Sequence, residues 1–404
     1  MYEFVLTAMV AHSFFVVAIL ATDKGVSAHK IASRLLAAFF AINLVLLLTE
    51  LSAAAQWRLH TPELGIISIA LAYFLAPLFY LYTRALAEAE QFDWKATAKK
   101  NGWVVAYAWL PIMPWLMLGR ARTQLLSNGA EVQLTFFDLI AVAGIFVSVT
   151  GFVIVSCVFL LKAWRVLITH LNSVKAVFSN IENRTLAWLR ASLLLLAFAW
   201  SVSAIDALSG LVIDDGLIPP VLSAICEAMW VYSLSFMALR FGKAQELEMT
   251  HAALRESATQ TRPPESVLQT EEILPARSKY ERTTMDEEQA QRIADKLDKA
   301  MDEEKLYRNP ALTLSDLVVQ LRVNSHRISY VLNVHIGASF FDYVNKWRVR
   351  EACERLTDTD ESVLMIAEEV GFNSRSTFNA AFKKETGKTP SGYRSAKKVT
   401  YTNN

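Results

Sequence analysis

Apolar residues run in long blocks through the first 240 positions, then give way to a mixed, periodic pattern. Seven blocks approach the length needed to cross ~30 Å of hydrocarbon, at about residues 2–21, 31–53, 64–86, 103–119, 136–161, 189–213 and 217–239. They predict seven membrane-spanning helices. Met1, Tyr2 and Glu3 give the first block no basic leader, and it is long for a signal-peptide core, so it is expected to be retained. The fourth is short and holds Pro111 and Pro114, which membrane helices tolerate where neighbours satisfy the freed carbonyls. In the connection after the fifth block, Trp164, Leu167, Leu171, Val174, Phe178 and Ile181 form a helical stripe, which either extends that helix or lies along the inner surface.

Beyond Leu239, Ala244, Leu247, His251, Leu254 and Ala258 recur at spacings of three and four. About two heptads suit a homodimer seam and a solvated helix extension equally. Residues 257–284 carry Pro263, Pro264 and Pro275 among Ser, Thr, Gln and Glu and read as a flexible linker. A coil of that length has an end-to-end distance of about 30 Å, so a soluble domain after it needs no contact with the bundle.

The last stretch repeats itself. At an offset of 49, Leu317, Val318, Leu321 and Val323 fall on Ile366, Ala367, Val370 and Phe372. One residue later in register, Ile328, Leu332, Gly337 and Tyr343 fall on Phe378, Phe382, Gly387 and Tyr393. Each unit reads as two short helices, the second starting near Asn324 or Asn373 and closing at a glycine suited to a helix C-terminus. Thr313 and Asp316 have the spacing of an N-terminal cap. Two helix-turn-helix units are therefore expected, joined by a helix over about Phe340–Leu356, with their second helices roughly one DNA turn (~34 Å) apart. The whole chain reads as all-α, with a membrane domain over 1–240, a juxtamembrane helix and linker over 241–285 and a DNA-binding domain over 286–404.

Charge sharpens this division. Residues 1–240 hold 30 of the 79 charged side chains, although the chain's net charge is only +1. Loops one, three and five carry twelve Lys and Arg, the alternate loops only Arg58, Arg120 and Arg122. That asymmetry puts the amino terminus outside and the carboxyl half in the cytoplasm. Inside, the Asn183-Arg184-Thr185 sequon has no glycosylation role. Residues 286–304 are net −5 and residues 305–404 net +5.

Within the spans the ionisable residues are His12, Glu50, Asp138, Asp206 and Glu227, with no buried Lys or Arg to answer them. Glu50, Asp138, Asp206 and Glu227 are candidate sensing residues in the outer half and near the midplane; bonding to neighbouring helices is the structural alternative. The seventh block has no lysine, which argues against a retinal Schiff base. Cys157, Cys226 and Cys353 lack metal-type spacing and read as small apolar fillers. No phosphate loop, nucleophile elbow or metal-ligand cluster is present, so the chain is read as no enzyme and as needing no cofactor or metal.

The stretch GFNSRSTFNAAFKKETGKTPSGYR, residues 371–394, preceded by SVLMIAEEV, closely resembles the second DNA-binding unit of the AraC/XylS transcription regulators. NPALTLSDL and FFDYVNKWRVREA resemble their first unit and connecting helix. The resemblance covers about residues 305–396 and departs from the family at Val318, where a small residue is usual. It implies base contacts from His326, Arg327, Ser329 and Tyr330 in the first unit and from Arg375, Ser376 and Asn379 in the second. Ala380 stands where relatives often carry a longer polar side chain, which shifts weight onto Arg375. Lys383, Lys384, Lys388 and Arg394 are placed to meet phosphates. The expected partners are double-stranded DNA, the lipid bilayer, a second copy of the chain, and a small ligand or partner protein acting as signal. The expected function is a membrane-embedded one-component transcription regulator in a bacterial inner membrane. A transporter or channel-like protein with an appended regulatory domain is the competing reading.

Overall fold

The computed structural model describes residues 1–22, 27–55, 62–88, 92–118, 135–182, 185–209, 217–259 and 285–402. The predicted linker lies mostly outside these residues, as do Asn183 and Arg184 of the sequon, and so do the seam side chains beyond Phe241. Helices dominate, and the described residues contain no β-strand beyond an isolated bridge. The chain divides into two compact units, residues 1–168 with 186–267, and residues 169–185 with 268–404.

In the first unit, α1 (Tyr2–Ala21) packs on α2 (Ser27–Ala54), and α2 on α3 (Pro62–Ala72) and α4 (Leu75–Glu88). Then come α5 (Trp94–Lys100), α6 (Trp103–Trp109), a 3-10 turn at Leu110–Ile112, and α7 (Met113–Met117). The longer helices α8 (Phe136–Val177), α9 (Ala187–Ser209) and α10 (Pro220–Thr259) follow. Leu6, Met9, Phe39, Phe40, Phe79, Trp230, Val231 and Leu234 form the centre of one core, with Phe39 edge-on to Trp230. Phe14, Phe15, Phe136, Phe146, Phe198 and Phe236 stay exposed.

Six helical stretches among the described residues are long and apolar enough to cross a membrane. The fourth expected span, 103–119, is instead broken into α6, the 3-10 turn and α7. Pro111 and Pro114 lack the N–H a continuous helix needs, and each sits at the start of a new short element. The third span bends between α3 and α4 at Tyr73 and Phe74. The stripe in loop five continues the fifth apolar helix as far as Val174, since α8 runs unbroken to Val177, whereas Phe178 and Ile181 lie beyond the helix.

In the second unit, α11 (Glu287–Asp302) buries Ala290, Ile293, Leu297 and Met301 on the first repeat. Its acids hold it there: Tyr343 Oη donates to Asp298 at 2.8 Å, and His335 Nδ1 lies 3.1 Å from Glu287. The repeats follow as α12 (Leu314–Leu321) with α13 (Ser325–Tyr330), then the connecting α14 (Phe340–Asp358), then α15 (Val363–Glu369) with α16 (Arg375–Thr386), and finally α17 (Pro390–Thr402). Helix α14 serves two cores. Phe340, Tyr343 and Val344 enter the first, Val349, Ala352 and Leu356 the second.

Candidate DNA interface

Each recognition helix is started by a side chain that competes for its free N–H groups. Asn324 accepts from His326 N at 2.8 Å, and Ser374 accepts from Thr377 N at 3.2 Å. The preceding helices are capped likewise: Thr313 and Asp316 form the full reciprocal cap, and Ser362 accepts from Met365 N. Between α12 and α13 the chain turns at Arg322 in the left-handed region, φ 52. Gly371 makes the corresponding turn at φ 101, and a Cβ there would meet Tyr307 O at 2.7 Å and Arg308 O at 2.8 Å. Only glycine fits that approach.

With Ile328 turned into the first core and Phe378 and Phe382 into the second, the opposite faces of α13 and α16 are left to solvent. His326 and Arg327 are exposed on α13, with Ser329 and Tyr330 half-buried. Arg375 and Ser376 are exposed on α16, with Asn379 half-buried. Val318 packs at the edge of the first core and Ala367 is buried in the second, so the bulkier residue is accommodated at the rim.

Residues 317–396 match a family model described as a helix-turn-helix domain. The probable transcription factor PqrA of Proteus vulgaris is 30% identical over 92 residues, 23% of this chain and 75% of that protein. The chain belongs to the AraC/XylS family. A putative AraC-like transcription regulator of Streptomyces lividans is 30% identical over 91 residues, 22% of this chain and 30% of that one. The uncharacterized HTH-type transcriptional regulator YtdP of Bacillus subtilis is 34% identical over 87 residues, 22% of this chain and 11% of that protein. The chain thus spans less than a third of the length of these last two relatives, and the likeness lies in the AraC-type domain.

Around that domain's recognition helices the expected phosphate-facing cations fare differently. Lys383 and Lys388 are exposed. Lys384 Nζ donates to Asp342 at 2.6 Å; although burial raises that carboxyl, the bonds from Lys384 and Ser339 hold it below the usual carboxylate range. Arg394 donates to the carbonyls of Leu356 and Glu361, at 3.2 and 2.7 Å, tying α17 to the end of α14. Missing from the sequence reading was a basic cleft where Arg292 and Lys296 of α11 meet Arg322, His326 and Arg327. The net −5 of the α11 region concealed it, because Arg292 and Lys296 stand among eight acids in the sequence, and Arg292 itself bonds to Glu288 at 2.6 Å.

The two modules are cross-linked by charged side chains, of which Glu351 and Arg348 are buried. Arg308 forks onto Glu351, which also faces Arg355 at 3.3 Å, and Arg355 reaches Glu369. Arg348 is 1% exposed, and burial pushes its guanidinium down to about 10. It donates to Tyr307 O at 2.7 Å and Asn309 O at 2.9 Å.

In the first unit, two of the four candidate sensing acids bond to neighbouring helices. Tyr2 Oη donates to Glu50. Asn43, 1% exposed, donates to Glu227 at 3.4 Å. Asp138 is placed otherwise: in the first turn of α8 it accepts from Thr135 N and Oγ1 at 2.7 and 2.6 Å, a helix cap. Nearby on α1, His12 Nε2 is 2.7 Å from Ser235 Oγ, a pairing between α1 and α10.

Proposed function

We propose that this chain is a membrane-embedded one-component transcription regulator whose apolar half receives a signal and whose AraC-type domain reads promoter DNA. The observation that carries the reading is one chain holding six apolar helices of spanning length and a complete pair of capped recognition helices. Arg327 and Arg375 are suited to bidentate guanine contacts and Asn379 to adenine, with His326, Ser329, Tyr330 and Ser376 donating beside them. Lys383 and Lys388 meet phosphates, joined by Lys296 and Arg322 from the basic cleft. Glu50, Asp206 and Glu227 are the groups in the bundle whose protonation or ligation supplies the signal.

The amino terminus faces outside and the AraC-type domain lies in the cytoplasm, at a bacterial inner membrane. Alkaline phosphatase fused after Leu239 is then inactive and fused within residues 54–63 active. The reverse pattern contradicts the topology. The break at Pro111 and the bend at Tyr73 favour transport as the second reading, because discontinuous helices form many transporter sites. Solute uptake by reconstituted vesicles separates the two.

A further inference from the structure

Ser179 is 1% exposed within the DNA-binding unit, although it lies more than a hundred residues before that domain's first helix. Residues 178–182 directly follow α8 and form a strap across the helices. Ser179 N and Oγ both donate to Leu312 O, at 3.2 and 2.6 Å, and Phe178 makes an antiparallel bridge with Thr313. Arg348 closes over the same serine, donating to its carbonyl at 3.3 Å and its hydroxyl at 3.4 Å. Three residues on, Glu182 accepts from Thr377 Oγ1 at 2.9 Å. Lys175, in the last turn of α8, sits 5.8 Å from the ring centre of Phe341.

These contacts touch three different parts of the domain. Leu312 and Thr313 start the first module, Arg348 belongs to the connecting helix, and Thr377 lies in the first turn of the second recognition helix. The modules have separate cores joined by α14, so the polar links that cross between them add to that helix in setting their mutual angle. A buried guanidinium enforces such links, since leaving its donors without acceptors is costly in a dry interior. Glu182 adds a negative charge beside the amino end of a helix, where anions are favoured and where a DNA phosphate would otherwise come.

We infer that residues 178–182 are a positioning strap that fixes the angle between the two recognition helices, and so the half-site spacing the domain accepts. The strap continues the fifth apolar helix, so a shift of that helix alters DNA reading without passing through the 257–284 linker. This inference rests on the DNA-reading function proposed above.

The test uses the full chain in lipid nanodiscs and duplexes that the wild type enriches from a random-sequence pool. Affinity is then measured on versions with extra base pairs between the half-sites. The wild type prefers one spacing. Glu182→Ala, which removes the acceptor for Thr377, and Ser179→Pro, which removes the N–H donor to Leu312, each lower the preference for the best spacing over the next by roughly threefold or more. Glu182→Gln keeps an acceptor oxygen and retains the wild-type profile. Unchanged helical content and an unchanged salt slope on random DNA identify folded variants. Should Ser179→Pro misfold, Glu182→Ala decides the matter alone. A spacing profile for Glu182→Ala identical to the wild type overturns the strap while leaving DNA reading intact; a wild type that enriches no sequence overturns the reading itself.

Discussion

The two helix-turn-helix modules share one local plan and differ in what supports it. Both begin with a side-chain cap, bury one face of a short helix and end the recognition helix at a glycine of positive φ. The first recognition helix is only six residues and passes into a π turn, Val331–Ile336, and its core is completed by α11 from outside the repeat. The second is twelve residues and rests on its own aromatic stack, Phe372, Phe378, Phe382 and Tyr393 in edge-to-face contact. A repeated pattern therefore specifies the elements, whereas their support is drawn from wherever apolar surface is at hand.

The sharpest way to break this comparison is at the glycines. Gly371→Ala forces a Cβ against two carbonyls at positive φ and should cost about 3 kcal/mol or more in urea unfolding of the AraC-type domain within the full chain. Gly337→Ala has the same strain with open space around it and should cost about 1 kcal/mol. Equal losses would mean that the docking of Gly371 on the first module matters little.

Smaller effects are expected at the DNA surface. Arg375→Ala should lose about 1 to 3 kcal/mol on an enriched duplex, together with discrimination at one base. Lys383→Ala should weaken binding to all duplexes alike and lower the salt slope by about one unit. Lys384→Ala should also free Asp342 and loosen the contact between α14 and α16. Binding isotherms on enriched and scrambled DNA at several salt concentrations separate these cases.

The smallest effect concerns acid. Burial raises Glu351, but the bonds from Arg308 and Tyr307 outweigh it and hold the carboxyl below its usual range. A depressed carboxyl contributes stability that is present above its unfolded value of about 4.3 and is lost as pH falls through the folded value. The cross-link between modules should thus weaken below about pH 4.3. Glu351→Gln should flatten that part of the stability profile; an unaltered profile would remove Glu351 from the account.

Much of this was legible in the sequence. The paired modules, the Thr313 cap and the closing glycines follow from residue spacing because they are local, and six of the seven apolar blocks became long helices for the same reason. The fourth block failed as one helix because two prolines outweigh apolar composition. The bonds of Glu50 to Tyr2 and of Glu227 to Asn43 depend on how three helices pack, which no periodicity states. The strap was hidden by chain distance: Ser179 and Glu182 look like loop residues until Arg348 and Thr377 are placed beside them. For the same reason residues 286–404 looked self-sufficient, although Arg348 in that fragment would lose the two bonds it makes to Ser179.

The central claim is that a chain held in a membrane reads DNA with two modules at once. Hydroxyl-radical footprinting of the full chain in nanodiscs, on a duplex it enriches, tests this most directly. The account predicts two protected stretches on one face of the duplex, centred about 10 base pairs apart, with Arg327→Ala weakening one and Arg375→Ala the other. A single protected stretch, or protection that does not depend on sequence, would contradict it.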